Sequence, residues 1–411
     1  MTTDPLVGAL LDGRYRVEAA IASGGMSTVY RGLDVRLDRP VALKVMDARY
    51  AGDPQFLTRF QREARAIARL KNPGLVAIYD QGNDPSRPFL VMELVEGGTL
   101  RELLRERGPM PPHAVVAALL PVLGGLGVAH RAGLVHRDIK PENVLISDGG
   151  EVKLVDFGLV RALADAGITS TSVILGTAAY LSPEQVLGES TGPRSDVYSA
   201  GVMAFEMLTG TTPFTGDNPL SVANQRLDRE VAPPSSRIDG VPPQFDAFIA
   251  RATARDAEAR FADAAEMAAA LQAIAEDLEL PSFRVPAPRN SAQHDAATVA
   301  HRRAGAAPSG RPERQHTRAF TPAPRADSGP VDAARDAARD AEYLDEYGDG
   351  DGETPPAPTQ FAGIDIDEFA WARQRGRRSV VLWVLVVLLL AALTAGGAWT
   401  LGLNVHGLIG G

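Results

Sequence analysis

Eight consecutive residues, His136-Arg137-Asp138-Ile139-Lys140-Pro141-Glu142-Asn143, place a carboxylate, a primary amine and a primary amide within one short stretch. That combination suits phosphoryl transfer from a nucleotide. A carboxylate orients the attacking hydroxyl, a cation neutralises charge on the moving phosphoryl group, and an amide oxygen helps to hold a divalent metal. Asp138 is the candidate base, Lys140 the candidate phosphate-binding cation and Asn143 a candidate metal ligand. Eighteen residues after Asp138, the run Val155-Asp156-Phe157-Gly158 supplies Asp156 as the second ligand of a Mg²⁺ or Mn²⁺ clamp. Histidine is the commonest catalytic base, yet beside His136 the carboxylate of Asp138 is the better candidate. The sequence has no cysteine, which excludes disulfides, Cys-type zinc clusters and thiol nucleophiles.

These groups need elements to carry them. Arg14 to Asp47 reads as a strand, a glycine-rich turn and two further strands, the turn lying in Ala22-Ser23-Gly24-Gly25-Met26-Ser27-Thr28-Val29-Tyr30. Glycines there let backbone N–H groups approach phosphate oxygens, although a plain hairpin turn has the same composition. Val41-Ala42-Leu43-Lys44-Val45 is an apolar strand with one lysine, which either snorkels at a strand edge or binds an anion. Phe56 to Leu70 carries Phe56, Phe60, Ala64, Ile67 and Ala68 at helical spacing, so an amphipathic helix is predicted there, with Glu63 in its span. Glu63 can pair with Lys44, or with Arg62 or Arg65 on its own helix. Phe89 to Leu94 reads as a buried strand ending at Val95-Glu96-Gly97-Gly98. Leu100–Arg107 and His113–Ala132 read as helices, the second apolar around most of its circumference and so buried, with His130 structural. Leu159 to Gly176 has little period and a hydroxyl cluster, Thr169-Ser170-Thr171-Ser172. From Phe205 to Leu280 helical patterns alternate with Pro-rich connections.

Over roughly residues 8–280 the chain resembles the bacterial eukaryotic-type (Hanks) Ser/Thr protein kinases, through its H-R-D-x-x-x-x-N and D-F-G motifs. The resemblance implies an α+β, bilobal protein-kinase-like fold with a small β-rich N-lobe and a larger helical C-lobe. It implies that Ile21, Ala22, Ser23, Gly24, Gly25, Met26, Ser27, Thr28 and Val29 cover ATP; Ala22 and Ser27 stand where the G-x-G-x-x-G-x-V pattern has glycine. Lys44 would pair with Glu63 and grip the α- and β-phosphates. Met92 would lie at the back of the pocket, and the backbone of Glu93 and Val95 would meet the adenine edge. His136 becomes a framework residue. Arg137 would dock a phosphate on the activation segment, with Thr169 and Thr171 as autophosphorylation sites. Gly176-Thr177 through Ser182-Pro183-Glu184 is similar to G-T…A-P-E, with Ser for Ala. Asp196 would hold the catalytic-loop backbone, and Arg260 would pair with Glu184. Lys140 with Thr177 implies Ser or Thr acceptors. Implied partners are protein substrates, phosphothreonine-binding domains and a second copy of the chain for autophosphorylation in trans.

At 411 residues about two domains plus linker are expected. Residues 281–372 change character: Pro, Ala, Gly and Arg are frequent, and branched apolar residues are sparse. A disordered tether is expected, Arg-rich up to Pro330 and acidic from Asp332 to Glu353. Thr321 and Thr354, each followed by proline, are further candidate phosphosites. Arg373, Arg375, Arg377 and Arg378 precede Val380 to Leu401, an uncharged run long enough to cross a membrane. The arginines assign its amino-terminal side to the cytosol, leaving residues 402–411 as a short extracytoplasmic tail. Met1 to Gly13 lacks a signal-peptide pattern, so the catalytic part is expected in the cytosol. The net charge of -9 argues against a nucleic-acid ligand. Two other function classes compete. A pseudokinase scaffold would bind nucleotide and dock partners without turnover; a small-molecule phosphotransferase would have no use for a Ser182-Pro183-Glu184 segment.

Overall fold

The computed structural model describes residues 4–51, 53–84, 87–157, 178–216, 218–306, 360–361 and 364–365. The chain divides into two units, Met1–Ala304 with Thr359–Gly411, and Gly305–Pro358. Of the second, only residues 305 and 306, a helix end, are described. The expected activation-segment threonines, the Arg-rich and acidic tether and the Val380–Leu401 run all lie outside the described residues.

In the first unit, alternation of buried and exposed positions builds an antiparallel sheet. Its strands are β1 (Leu10–Leu11), β2 (Tyr15–Ser23), β3 (Ser27–Asp34), β4 (Arg39–Met46), β5 (Ile78–Asp84) and β6 (Arg87–Met92), in the order β1-β2-β3-β4-β6-β5. Tyr15, Val17, Tyr30, Val41, Leu43, Val45, Phe89 and Val91 form the core on one face. The other face receives α1 (Pro54–Ile67). Asp53 caps this helix by accepting from the N–H of Gln55 and Phe56, and Pro54 occupies a first-turn position where its missing N–H costs nothing. Phe56, Phe60, Ala64 and Ile67 are buried as their spacing predicts, whereas Ala68 is the exposed cap residue.

The larger lobe is helical: α2 (Leu100–Arg107), α3 (Pro112–Arg131), α4 (Pro183–Leu187), α5 (Pro193–Thr209), α6 (Pro219–Asp228), α7 (Pro243–Ala252), α8 (Ala264–Asp277) and α9 (Ala292–Ala306). Among the described residues α3 alone is long and apolar enough to cross a membrane, but it is mostly buried in the lobe, as is α5. Between the lobes lies a small sheet of β7 (Gly97–Thr99), β8 (Val144–Ser147) and β9 (Val152–Leu154), in that order. Backbone bonds bind the lobes there: Val76 donates to Leu154 and Leu154 donates to Gly74. A Cβ on Gly74 would overlap the Pro121 carbonyl of α3, so this approach requires glycine. The observed bilobal architecture matches the expected fold class. A short antiparallel pair, β10 (Gln360–Phe361) and β11 (Ile364–Asp365), follows much later in the chain.

One expectation fails. Disorder was expected from Pro281, because the composition there is poor in branched apolar residues, yet residues 281–302 pack on the larger lobe. Val285 is 1% exposed and Ala296 3%. Phe283 meets the ring of His113 edge-on at 4.9 Å, and α9 begins at Ala292. The few apolar residues suffice because the lobe provides a surface already formed, so the segment need not build a core of its own.

Two buried arginines knit the larger lobe. Arg260 donates two hydrogen bonds to Glu184, at 2.9 and 3.0 Å, as expected from the sequence, and Ser195 adds a third at 2.6 Å. Burial pushes the Glu184 carboxyl up, but these donors outweigh it and hold the pKa near about 2. Arg226 on α6 is instead met by the carbonyls of Leu181, Ala179 and Val222, and burial lowers its pKa.

Because the Glu184 pKa is depressed, its stabilising contribution is complete above the ordinary carboxylate value and is lost as pH falls from there towards about 2. Arg260→Ala is expected to lower stability by about 3–5 kcal/mol near neutral pH, since it strands a buried carboxylate. Glu184→Gln should flatten the acid limb of the stability profile. Urea unfolding at a series of pH values checks both, and an acid limb identical to wild type in Glu184→Gln would refute the assignment.

Candidate active site

Asp196, near the start of α5, is fully buried and serves as the fixed point of the site. Its Oδ2 accepts from the His136 N–H at 2.8 Å, and its Oδ1 accepts from the Arg137 N–H at 2.7 Å. His130 Nε2 lies 2.9 Å from Oδ2, while its Nδ1 accepts from the Ala264 N–H that opens α8. The second bond assigns the proton to Nε2, so His130 is the structural residue expected. Arg137 has φ of 67°, a left-handed conformation unfavourable for a side chain of its size. Two successive backbone N–H groups held by one buried carboxylate maintain that turn, which carries the next residue, Asp138, out of the α3 to β8 connection.

Asp138 Oδ2 accepts from Lys140 Nζ at 2.8 Å and from Asn143 Nδ2 at 3.1 Å. Its Oδ1 is buried and has no hydrogen-bond partner among the described residues. A buried carboxylate oxygen left without a donor is costly, and it suits a site where a substrate hydroxyl supplies the donor. Asn143 also donates through Nδ2 to the Asp138 carbonyl at 2.7 Å. Both bonds use the amide nitrogen, which leaves Oδ1 as an acceptor for a cation. The Val155 N–H donates to the Asn143 carbonyl at 2.9 Å, and β8 pairs with β9, so Asn143 and Asp156 are brought side by side. The structure thus brings together Asp138, Lys140, Asn143 and Asp156 as the motif spacing predicts.

His136 takes no part in proton transfer. Its Nδ1 accepts from the Asp138 N–H and its Nε2 lies 3.0 Å from the Val155 carbonyl, so the ring is neutral with the proton on Nε2. Burial lowers its pKa, and the ring packs against Phe157 at 4.7 Å. It ties the catalytic loop to the Asp156 segment.

Lys44 departs from expectation. Its ammonium, 4% exposed, pairs with Asp156 Oδ1 at 2.7 Å, and no ion pair joins it to Glu63. Burial alone would raise the Asp156 carboxyl; Lys44 outweighs it and holds the pKa below its ordinary value. Asp156 has φ of 65°, which turns its carboxylate towards the N-lobe lysine. Glu63, half-buried on α1, has no ion pair among the described residues. Burial raises its pKa, partly opposed by Arg137, Arg59 and Arg62. A buried ammonium needs a carboxylate, and here Asp156 supplies it.

The Ile21–Val29 hairpin arches from β2 to β3, closed by the Gly24 N–H donating to Ser27 O at 2.9 Å. None of residues 21–29 has a positive φ, so the backbone does not demand glycine. Ala22 pairs with Val29 and Ser27 with Met46, both as ordinary strand residues. A Cβ on Gly24 would touch only Ser27 O, at 3.5 Å, so open space remains above the turn. Met26 is buried beneath it. At the other end of the sheet, Met92 is buried and ends β6. The Glu93 N–H is taken by the Ala77 carbonyl, while the Glu93 carbonyl and the Val95 N–H have no backbone partner among the described residues. Sequence reasoning missed that Glu93 pairs through its side chain with Lys153 at 2.5 Å. It also missed that Arg101 joins Glu142, Glu206 and Tyr180 beneath the catalytic loop. Single charged residues flanked by apolar ones gave no signal for either.

Asp196→Asn keeps the shape but turns one acceptor into a donor, so at least one backbone N–H of the catalytic loop loses its partner. Phosphoryl-transfer activity is expected to fall at least about tenfold, in line with the ~1.5–3 kcal/mol of a hydrogen bond to a charged group. Amide exchange at His136 and Arg137 should quicken; unchanged exchange and activity would remove Asp196 from this role.

Comparison with known proteins agrees with this geometry. Residues 15–273 match the protein kinase domain family. The chain is 63% identical to the serine/threonine-protein kinase PknL of Mycobacterium bovis, over 99% of each chain. It is 43% identical to PknB of Mycobacterium tuberculosis, over 70% of this chain and 47% of that protein. Among solved structures, the PknI kinase domain of Mycobacterium tuberculosis (C20A mutant) is similar, with a TM-score of 0.54 and 26% identity over 67% of this chain and 100% of that one. The chain belongs to the protein kinase family and is a serine/threonine protein kinase.

Proposed function

We propose that this kinase is anchored in the cell membrane by residues 380–401, works on the cytosolic side, and phosphorylates both its own activation segment and other proteins, using ATP with Mg²⁺ or Mn²⁺. The observation that carries the catalytic part is the unpartnered Asp138 Oδ1, buried beside Lys140 and Asn143 with Asp156 adjoining. In this reading Asp138 accepts the proton of the substrate hydroxyl, and Lys140 lies where charge on the transferring phosphoryl group needs a cation. Asn143 Oδ1 and the Asp156 carboxylate would hold the metal, and oxygen donors of this kind suit Mg²⁺. The bound metal supplies charge neutralisation on the phosphates.

Lys44 would face the α- and β-phosphates, and the Ile21–Val29 hairpin would close above them, with Gly25 offering a backbone N–H near the turn while that of Gly24 closes the hairpin. The Glu93 carbonyl and Val95 N–H take the adenine edge. Lys44 now holds the carboxylate that the metal requires. Glu63 would be the carboxylate available to Lys44 were Asp156 to hold a metal. A pseudokinase reading is not favoured, because Lys44, Asp138, Asn143 and Asp156 are all present.

Around this centre, phosphorylation at Thr169 and Thr171 would add negative charge to the activation segment, and the family resemblance implies Arg137 as the cation that docks it. A membrane anchor confines copies to one surface and raises their encounter frequency, which favours self-association and phosphorylation in trans. Phosphothreonine-binding domains are the partners that such products recruit.

Incubation with radiolabelled ATP, wild type beside Asp138→Asn, tests the assignment. Label is expected on the wild type alone, at Thr169 or Thr171; equal label on both proteins would overturn the role of Asp138. The double variant Thr169→Ala/Thr171→Ala should lose most activity towards added substrate. Undiminished turnover by that variant, compared after phosphatase treatment, would sink the activation-segment reading.

A further inference from the structure

The strap that follows α8 lies against β7 and α2, the two elements that leave the hinge. Arg284 donates to the Gly149 carbonyl, and Val285 enters the core. Pro288 and Ser291 occupy the space that a Cβ on Gly98 would need. Ser291 Oγ donates to the Gly97 carbonyl at 2.5 Å and also accepts from the His294 N–H at 3.1 Å, so one hydroxyl grips the hinge strand and opens α9. Glu102 is shared in the same way. Its Oε2 closes the cap of α2 by accepting from the Thr99 N–H at 2.7 Å, and its Oε1 accepts from the Ala292 N–H at 3.0 Å. One turn along α2, Glu106 accepts from the Arg289 N–H at 2.7 Å. His294 lies 3.0 Å from Asp148, whose N–H donates to the Glu96 carbonyl.

Gly97, with φ of 146°, and Gly98 are consecutive glycines placed directly after the hinge. Left to themselves they are the freest backbone in this part of the chain. The strap removes that freedom on one side, while Glu96 pairs with Arg31 of β3 at 3.0 Å on the other. We propose that residues 283–302 form a latch that positions the hinge, so that strap docking and nucleotide binding at Glu93 and Val95 favour one another. This rests on the reading that the adenine edge meets those two backbone groups. Ser291, Glu102 and Pro288 are then positioning residues, acting on the nucleotide through Gly97 and Gly98.

The coupling must be reciprocal if it exists. Hydrogen exchange on the full chain, with and without ADP and Mg²⁺, measures one direction. ADP should slow exchange at residues 93–95 and also in 283–302. The other direction is read in Ser291→Glu, which sets a carboxylate against the Gly97 carbonyl and Glu102 and expels the strap. Its KM for ATP is expected to rise about fivefold or more, with kcat at saturating ATP within about twofold of wild type. Protection of 93–95 without any change in 283–302, or an unchanged KM in a variant whose strap exchanges freely, would reduce the strap to packing. Absence of protection at 93–95 would instead remove the hinge reading, and the latch with it. Should Ser291→Glu fail to fold, the exchange of the wild-type strap decides alone.

Discussion

A carboxylate sealed from water at Asp196 is the constraint on which the catalytic geometry depends. It accepts the N–H groups of His136 and Arg137 and takes the His130 ring as a third donor. An ionised oxygen in low dielectric is costly unless such donors are present. Satisfying it obliges the chain to hold Arg137 in a left-handed turn. That turn delivers Asp138 with one oxygen bound to Lys140 and Asn143 and the other open. Asp138 is therefore oriented by groups on α3, α5 and α8, three elements far apart in sequence that share one buried charge.

Beyond this fixed point, an ion pair joins the lobes. Lys44 is carried by β4 of the small lobe and Asp156 by the turn after β9, so their 2.7 Å contact spans the two lobes. Asp156 is claimed by Lys44, while Glu63 stands on α1 with burial pushing its pKa up. The buried Arg260–Glu184 pair lies within the larger lobe: it is bidentate, sealed and supported by Ser195.

The hinge strand ends in two glycines, and both are covered by a segment from beyond the last helix of the catalytic lobe. Glu102 serves α2 with one oxygen and α9 with the other, so the cap of a hinge-proximal helix and the start of the strap are set by one side chain.

The sequence by itself determined the catalytic constellation, because its members fall in short motifs whose local geometry is set by neighbours. Asp138, Lys140 and Asn143 lie within six residues, and the β8–β9 hairpin between Asn143 and Asp156 requires only alternating apolar positions and a turn. The helices α1, α2 and α3 were legible from apolar pattern, and the Glu184–Arg260 pair from resemblance. What the tertiary structure decided are choices among equivalent partners. Lys44 was expected to pair with Glu63, and only the relative placement of α1 and the Asp156 turn gives it Asp156 instead. Residues 281–302 look unable to fold alone, and they do not: their apolar residues are buried on a surface that other elements build. Local pattern reports what a segment can form with its neighbours in sequence, whereas ion pairing and docking depend on distances between segments, which exist only after the lobes have assembled.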